Sequence, residues 1–205
     1  MSEDAGRIPW GTLSRQAIVE AALAVVRRPG EGQLTIRSLA AELGASPMSL
    51  YRHVRDKDDL LDEVVDRLLA ESWRPLAPPA DWRAFVGEAA DRLRRLLVEE
   101  PAALQVFLSR PVVSPAAVER MEAILSSLKS AGLNEAAARR AFAALQTYTV
   151  GFAALEAGRA GWSPAGEDAE DPPHQLALMT SPEQFAEGLS YMLEAFEQRA
   201  RLGKP

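Results

Sequence analysis

At 205 residues the chain is long enough to bury a sizeable core, and with 47% apolar and 25% charged residues it has a folded rather than a disordered balance. The absence of cysteine excludes disulfide frameworks, thiolate metal sites and cysteine nucleophiles, and two histidines, His53 and His174, are too few for a histidine cage, so no metal site is expected. The net charge of −6 argues at face value against a partner as negative as nucleic acid.

No apolar run reaches the ~18 residues of a membrane span. Residues 1–12 carry Glu3 and Asp4 and lack the basic start and apolar stretch of a secretory signal, so a cytoplasmic protein is expected. Helical spacing runs nearly throughout, and no segment alternates apolar and polar residues as a half-buried strand does. The expected fold class is all-α.

In chain order, Ser14 caps a first helix over 15–28, with Ala17, Ala21 and Val25 in one row and Ile18, Ala22 and Val26 in the next. Pro29-Gly30 ends it. Thr35 caps a second helix over 36–43, closed by Gly44. Ser46 caps a third over 47–53, with Pro47 at the first helical position, where its missing N–H costs nothing. Asp56 caps a fourth over 57–73, and Asp58 and Asp59 suit the positive end of its dipole. Residues 74–80 read as a proline-rich linker.

Longer helices follow over 81–99, 115–131 and 135–158, with a short one over 102–108. The last, 182–200, opens with a Ser181-x-x-Gln184 capping box. Residues 159–180 read as an acidic, proline-bearing loop, with one helical turn over 176–179.

Two short helices meeting at a tight glycine turn on a longer first helix describe a helix-turn-helix. Leu39, Ala40, Leu50 and Val54 pack against Ile18, Ala22 and Val25. The third helix then turns Ser49, Arg52 and His53 outward, with Tyr51 beside them. Such a donor-rich helix fits the major groove of DNA. Thr35 offers a hydroxyl at a helix start, and Lys57 gains nothing from its helix dipole, so both suit an external phosphate. Arg27 and Arg28 read as compensating the first helix's dipole.

The run from Leu34 to Leu61, and within it Leu50-Tyr51-x-His53-Val54-x-Asp56-Lys57, resembles the N-terminal domain of TetR-family transcriptional regulators, in the branch that includes the tetracycline repressor. The resemblance implies a helix-turn-helix domain over residues 1–57, the helix 57–73 as connection, and a ligand-binding and dimerisation domain over 74–205. It implies base reading by Arg37, Pro47, Met48 and Ser49, and phosphate contacts by Tyr51, His53 and Lys57. Ser46 and Thr35 complete the expected DNA-binding set. Arg52 stands where that branch has an aromatic residue, which implies a different operator.

Segmental charge agrees. Residues 1–57 hold 8 basic and 6 acidic side chains, a net of +2, and the remainder 15 basic and 23 acidic, a net of −8. The modest +2 implies weak non-specific binding, with affinity resting on a fitted operator and on dimerisation.

In the larger domain, the small-sided helix 135–158 is expected to pair with 182–200 across a homodimer; tight packing inside one protomer is the competing reading. Eleven of the thirteen aromatics follow residue 57. Trp82, Phe85, Phe107, Phe142, Tyr148, Phe152 and Trp162 are candidates to line a pocket, with Gln105, Arg110, Gln146 and Thr149 as polar handles, although ordinary core would also hold such aromatics and Arg110 reads equally as a solvated loop arginine. Tetracycline-binding relatives hold their drug as a magnesium complex through a histidine of the ligand domain. Between His53 and His174 this chain has none, so tetracycline–magnesium is not the expected effector, and a mostly apolar or aromatic molecule is. No cofactor is expected.

The expected function is therefore a ligand-responsive repressor, acting as a homodimer on a palindromic DNA operator and released by a small molecule. The competing reading is an all-α interaction protein whose helix-turn-helix binds a protein partner. No nucleophile–base pair or phosphate loop supports an enzyme.

Overall fold

The computed structural model describes residues 13–28, 34–73, 81–160 and 179–202. Among them the chain is helical, without strands: α1 (Arg15–Val26), α2 (Ile36–Glu42), α3 (Pro47–Leu50), α4 (Lys57–Ser72), α5 (Trp82–Glu99), α6 (Pro101–Ser109), α7 (Pro115–Ser130), α8 (Glu135–Gly158) and α9 (Pro182–Leu202). No described helix is long and apolar enough to cross a membrane. The expected linker 74–80, the turn after Pro29, Trp162, His174 and most of the acidic loop, including residues 176–178 of its expected turn, lie outside the described residues.

Side-chain caps start most of the helices. Ser14, Thr35, Ser46, Asp56, Ser114, Asn134 and Ser181 each accept the backbone N–H three residues on. Thr35 and Ser38 close a reciprocal capping box. Asp81 is the cap of α5 rather than its first residue, accepting from the N–H of Arg83 at 2.9 Å. Gly44 ends α2 with φ 62°, while Ala45 N–H donates to Ala40 and Gly44 N–H to Ala41, the paired bonds of a Schellman end. Gly132 does the same after α7 with φ 109°.

Several ends differ from the sequence reading. α3 stops at Leu50, where the chain tightens: His53 N–H donates to Leu50 O at 2.8 Å, and Val54 N–H to the same oxygen at 3.0 Å. That turn places Val54 in the first core cluster, 1% exposed. α1 stops at Val26, α6 runs from Pro101 to Ser109, and α9 continues to Leu202. Arg27 and Arg28 have sharper roles than dipole compensation. Arg27 bridges Glu71 of α4 (2.7 Å) and Glu100 at the α5–α6 junction (3.2 Å), and Arg28 pairs with Glu42 of α2.

Two apolar clusters form the core. The first starts in the helix-turn-helix at Ile18, Ala22, Leu39, Leu50 and Val54. It continues along α4 through Leu60, Val64, Val65 and Leu68 into Leu93, Leu97 and Leu104. The second joins α5, α7, α8 and α9 through Phe85, Val86, Ile124, Leu128, Leu145, Phe152 and Phe185. One packed core thus runs from the helix-turn-helix through α4 into α5 and α6.

Candidate nucleic-acid interface and ligand cavity

The helix-turn-helix presents an exposed polar face. Thr35, Arg37, Ser46, Pro47, Met48, Tyr51 and Arg52 are exposed, and Ser49, His53 and Lys57 are half-buried. Met48 is 71% exposed and Tyr51 50%, so both side chains are accessible to a partner on this face. The cations of this face differ from their neighbours. Arg15, Arg27, Arg28, Arg55 and Arg67 each pair with a carboxylate. Arg37, Arg52 and Lys57 have no such partner among the described residues. Unpaired cations beside a phenol and serine hydroxyls offer donors for base edges and phosphate oxygens.

A second set of residues holds that face in place. From the start of α1, Arg15 donates to the backbone oxygen of His53 and pairs with Asp59 (3.0 Å) and Glu63 of α4. Asp59 is buried and also accepts the Arg55 N–H at 2.9 Å and the Arg55 guanidinium. The Arg55 N–H, then the guanidinia of Arg55 and Arg15, outweigh burial and hold this carboxyl below its usual range. The turn that follows α3 is thus tied to both α1 and α4. The sequence reading missed this clamp, because Asp59 shares its i, i+4 row with Glu63 and Arg67 and reads as part of a solvated face.

In the larger domain a cavity of about 570 Å³ opens between α4, α6, α7 and α8. Phe107, Arg110 and Gln146 line it, as does Phe142, together with Val112, Met121, Val150 and Arg120. Trp82, Phe85, Thr149 and Phe152 lie away from it. Phe85 packs edge-on to Trp73, ring centroids 5.7 Å apart. Phe152 joins Tyr148 and Phe185 in an aromatic cluster. Trp82 packs on the second core cluster. Thr149 is fully buried and satisfies its hydroxyl on Leu145 O at 2.8 Å. Helical rotation separates these sets: Phe142, Gln146 and Val150 line the cavity, while Leu145, Thr149 and Phe152 share a buried face of α8. Gln105 is exposed on α6.

The cavity wall is joined directly to α4. Arg110, at the end of α6, pairs with Asp62 at 2.6 Å and Asp58 at 3.1 Å. Ala116 N–H, at the start of α7, donates to Asp66 at 2.9 Å. Asp58, Asp62 and Asp66 are one turn apart on α4, so one acidic row receives both ends of the segment that walls the cavity. Lys57 directly precedes that row.

The small residues of α8 divide between two faces. Ala137, Ala138, Ala141 and Ala153 are buried within the protomer, whereas Ala136, Ala143, Ala144, Gly151 and Gly158 are exposed. Leu155 is 53% exposed on α8, and Tyr191 60% exposed on α9. α9 is seated on α8 by a notch at Gly188. The Tyr148 hydroxyl donates to Phe185 O at 3.0 Å there, and a Cβ at Gly188 would lie 2.3 Å from that hydroxyl oxygen.

Comparison with known proteins bears on both regions. A family model described as "Bacterial regulatory proteins, tetR family" matches residues 18–64, and one described as "Tetracyclin repressor-like, C-terminal domain" matches residues 74–200. The chain is 38% identical over 152 residues to the HTH-type transcriptional repressor DrrR1 of Streptomyces coeruleorubidus, covering 72% of this chain and 55% of that repressor. It spans 61% and 55% of the length of the first two curated relatives that it matches. Among solved structures it is similar to ActR of Streptomyces coelicolor in complex with actinorhodin (TM-score 0.75, 27% identity, 92% of this chain and 98% of that one). It is also similar to BioQ with its double-stranded DNA operator (TM-score 0.70, 25% identity, 91% and 99%).

Proposed function

Given that the chain belongs to the TetR family of bacterial regulatory proteins, DNA-binding transcriptional regulators rather than enzymes, we propose that it is a cytoplasmic, ligand-responsive repressor working as a homodimer on a palindromic operator. Arg37, Pro47, Met48 and Ser49 read bases, and Arg52 adds a contact that shifts operator choice. Thr35, Ser46, Tyr51, His53 and Lys57 position the protein on phosphates. Protomers pair through the exposed faces of α8 and α9, which sets two recognition helices about one DNA turn apart. The effector is a small molecule bound in the α4–α8 cavity against Phe107, Phe142, Arg110 and Gln146, and no cofactor takes part.

The observation that carries this reading is the pairing of Arg110, in the cavity wall, with Asp58 and Asp62 beside the start of α4. A ligand that shifts the segment around Arg110 pulls on the helix that begins at the DNA face. A change in the separation of the two recognition helices then lowers operator affinity. The ActR complex with actinorhodin and the BioQ complex with operator DNA support the reading by analogy, each for one end of the device.

The test is selection of bound duplexes from a random pool by the full chain, followed by a screen for small molecules that release the selected duplex. Recovery of a palindrome and its release by a cavity ligand are expected. A chain that enriches no duplex contradicts the proposal and favours a protein partner for the helix-turn-helix.

A further inference from the structure

The side chains that line the cavity include no aspartate or glutamate, in a chain that carries 29 of them. They include two arginines with opposite electrostatic situations. Arg110 is already neutralised by Asp58 and Asp62. Arg120, on α7, is 6% exposed and has only neutral acceptors: Gln146 Oε1 at 3.0 Å and the Ala89 carbonyl oxygen at 3.4 Å. A guanidinium carries five N–H donors, so these two acceptors leave it under-satisfied.

Arg94 shows what this fold does with a buried guanidinium that is purely structural. It is equally buried, yet it pairs with Asp91 and Glu156 and lies 5.2 Å from the centroid of the Phe185 ring. Arg120 has no carboxylate partner among the described residues. Burial alone pushes it down to about 10, which still leaves it a cation at neutral pH. A buried, uncompensated charge is costly, and an anionic group brought in by a ligand would offset that cost.

We infer that the cavity takes a ligand with an apolar, aromatic body and one acidic group, with Arg120 as the anchor for that group. This deepens the proposal that the cavity is the effector site and rests on it. Phe107, Phe142, Val150 and Met121 supply the apolar walls. Gln146 commits its Oε1 to Arg120, so its amide N–H groups are left to donate to the same acid. The planar guanidinium suits bidentate pairing with a carboxylate. A volume of about 570 Å³ suits a ligand of two to four fused rings.

The test is a calorimetric titration of the full-length protein, without DNA, with matched pairs of equal shape: 2-naphthoate against 2-naphthamide, and anthracene-2-carboxylate against anthracene-2-carboxamide. At least one acid is expected to bind about tenfold or more tightly than its amide. Arg120→Met, which removes the charge and keeps the bulk, is expected to erase that preference and to raise the melting temperature of the ligand-free protein. Arg120→Gln, neutral but still hydrogen-bonding, serves as the second variant should Arg120→Met fold poorly, and it too is expected to lose the preference. No acid preferred over its amide, or a preference that survives in the neutral variants, overturns the inference. An acid that binds through Arg120 yet leaves a selected operator bound would count against the release mechanism while leaving the acid site standing.

Discussion

Arg110 and Asp62 meet at 2.6 Å across the boundary between the cavity wall and α4. The pair is partly exposed, with 28% and 54% of the two side chains accessible, so it adds little to stability, about 0.2–1 kcal/mol for such pairs. Its importance is positional: it joins the end of α6 to α4, whose first residue, Lys57, belongs to the proposed DNA face. Arg110→Ala is expected to leave the fold intact and to reduce the effector's ability to release operator by about tenfold, within the range of allosteric coupling energies. Operator affinity measured with and without saturating ligand, in wild type and variant, checks this. An unchanged ratio would mean that coupling runs through the packed core alone.

On the DNA face, Arg37→Ala and Tyr51→Ala are each expected to weaken operator binding without lowering thermal stability, since both side chains are exposed. Loss of a base-reading arginine costs about 1–3 kcal/mol and relaxes preference at one position, whereas loss of a phosphate contact weakens all duplexes alike. Affinity profiles on single-base operator variants separate the two roles.

The Asp59 clamp gives a pH signature. Its carboxyl is held below its usual range in the folded protein, so its stabilisation is full above the unfolded value, near pH 4, and is lost as pH falls through the folded value. Asp59→Asn is expected to cost about 1–2 kcal/mol at pH 7. The difference from wild type should shrink as urea unfolding is repeated at successively lower pH below 4. A difference constant from pH 7 to 3 would show that the carboxylate charge is not what the clamp uses.

The notch at Gly188 predicts a local cost. With Tyr148 Oη 2.3 Å from the position a Cβ would take, Gly188→Ala must displace either the tyrosine or α9. Overpacking of this kind costs about 1–3 kcal/mol. Tyr148→Phe removes the clashing oxygen, so the double variant is expected to be more stable than the sum of the two single effects. Chemical denaturation of the four proteins measures the coupling.

The exposed ridge of α8 is expected to be the protomer contact. Ala144→Glu places charge on that ridge at a position exposed in the single protomer. It should shift the protein from dimer to monomer in light scattering while helical circular dichroism stays unchanged. A variant that remains dimeric would move the contact elsewhere.

The sequence made the helix-turn-helix legible because caps, Gly44 and apolar spacing all agree there, and Leu39, Leu50 and Val54 are indeed buried against Ile18 and Ala22. The end of α3 was less legible, since the tightening at Leu50 and His53 depends on Val54 finding the core. In the larger domain, composition pointed to aromatics and polar groups but could not set the rotation of α8, which puts Gln146 at the cavity and Thr149 in the core. Arg110 reads from sequence as either a handle or a solvated loop arginine, and its partners on α4, 48 and 52 residues away, leave no mark in the local pattern. Arg120 did leave a trace: Ala116, Arg120, Ile124 and Leu128 recur at four-residue intervals and are all buried, so a charge sits inside an apolar stripe. Such an interruption marks a buried polar site even before its partners are known.

The most direct test of the account is a fluorescence-anisotropy titration of the full-length protein onto the palindromic duplex recovered by selection and onto a scrambled duplex of the same length, at two salt concentrations. The account predicts that the palindrome binds at least about a thousandfold more tightly, as two protomers, with affinity falling steeply as salt rises. Equal affinity for the two duplexes would contradict it.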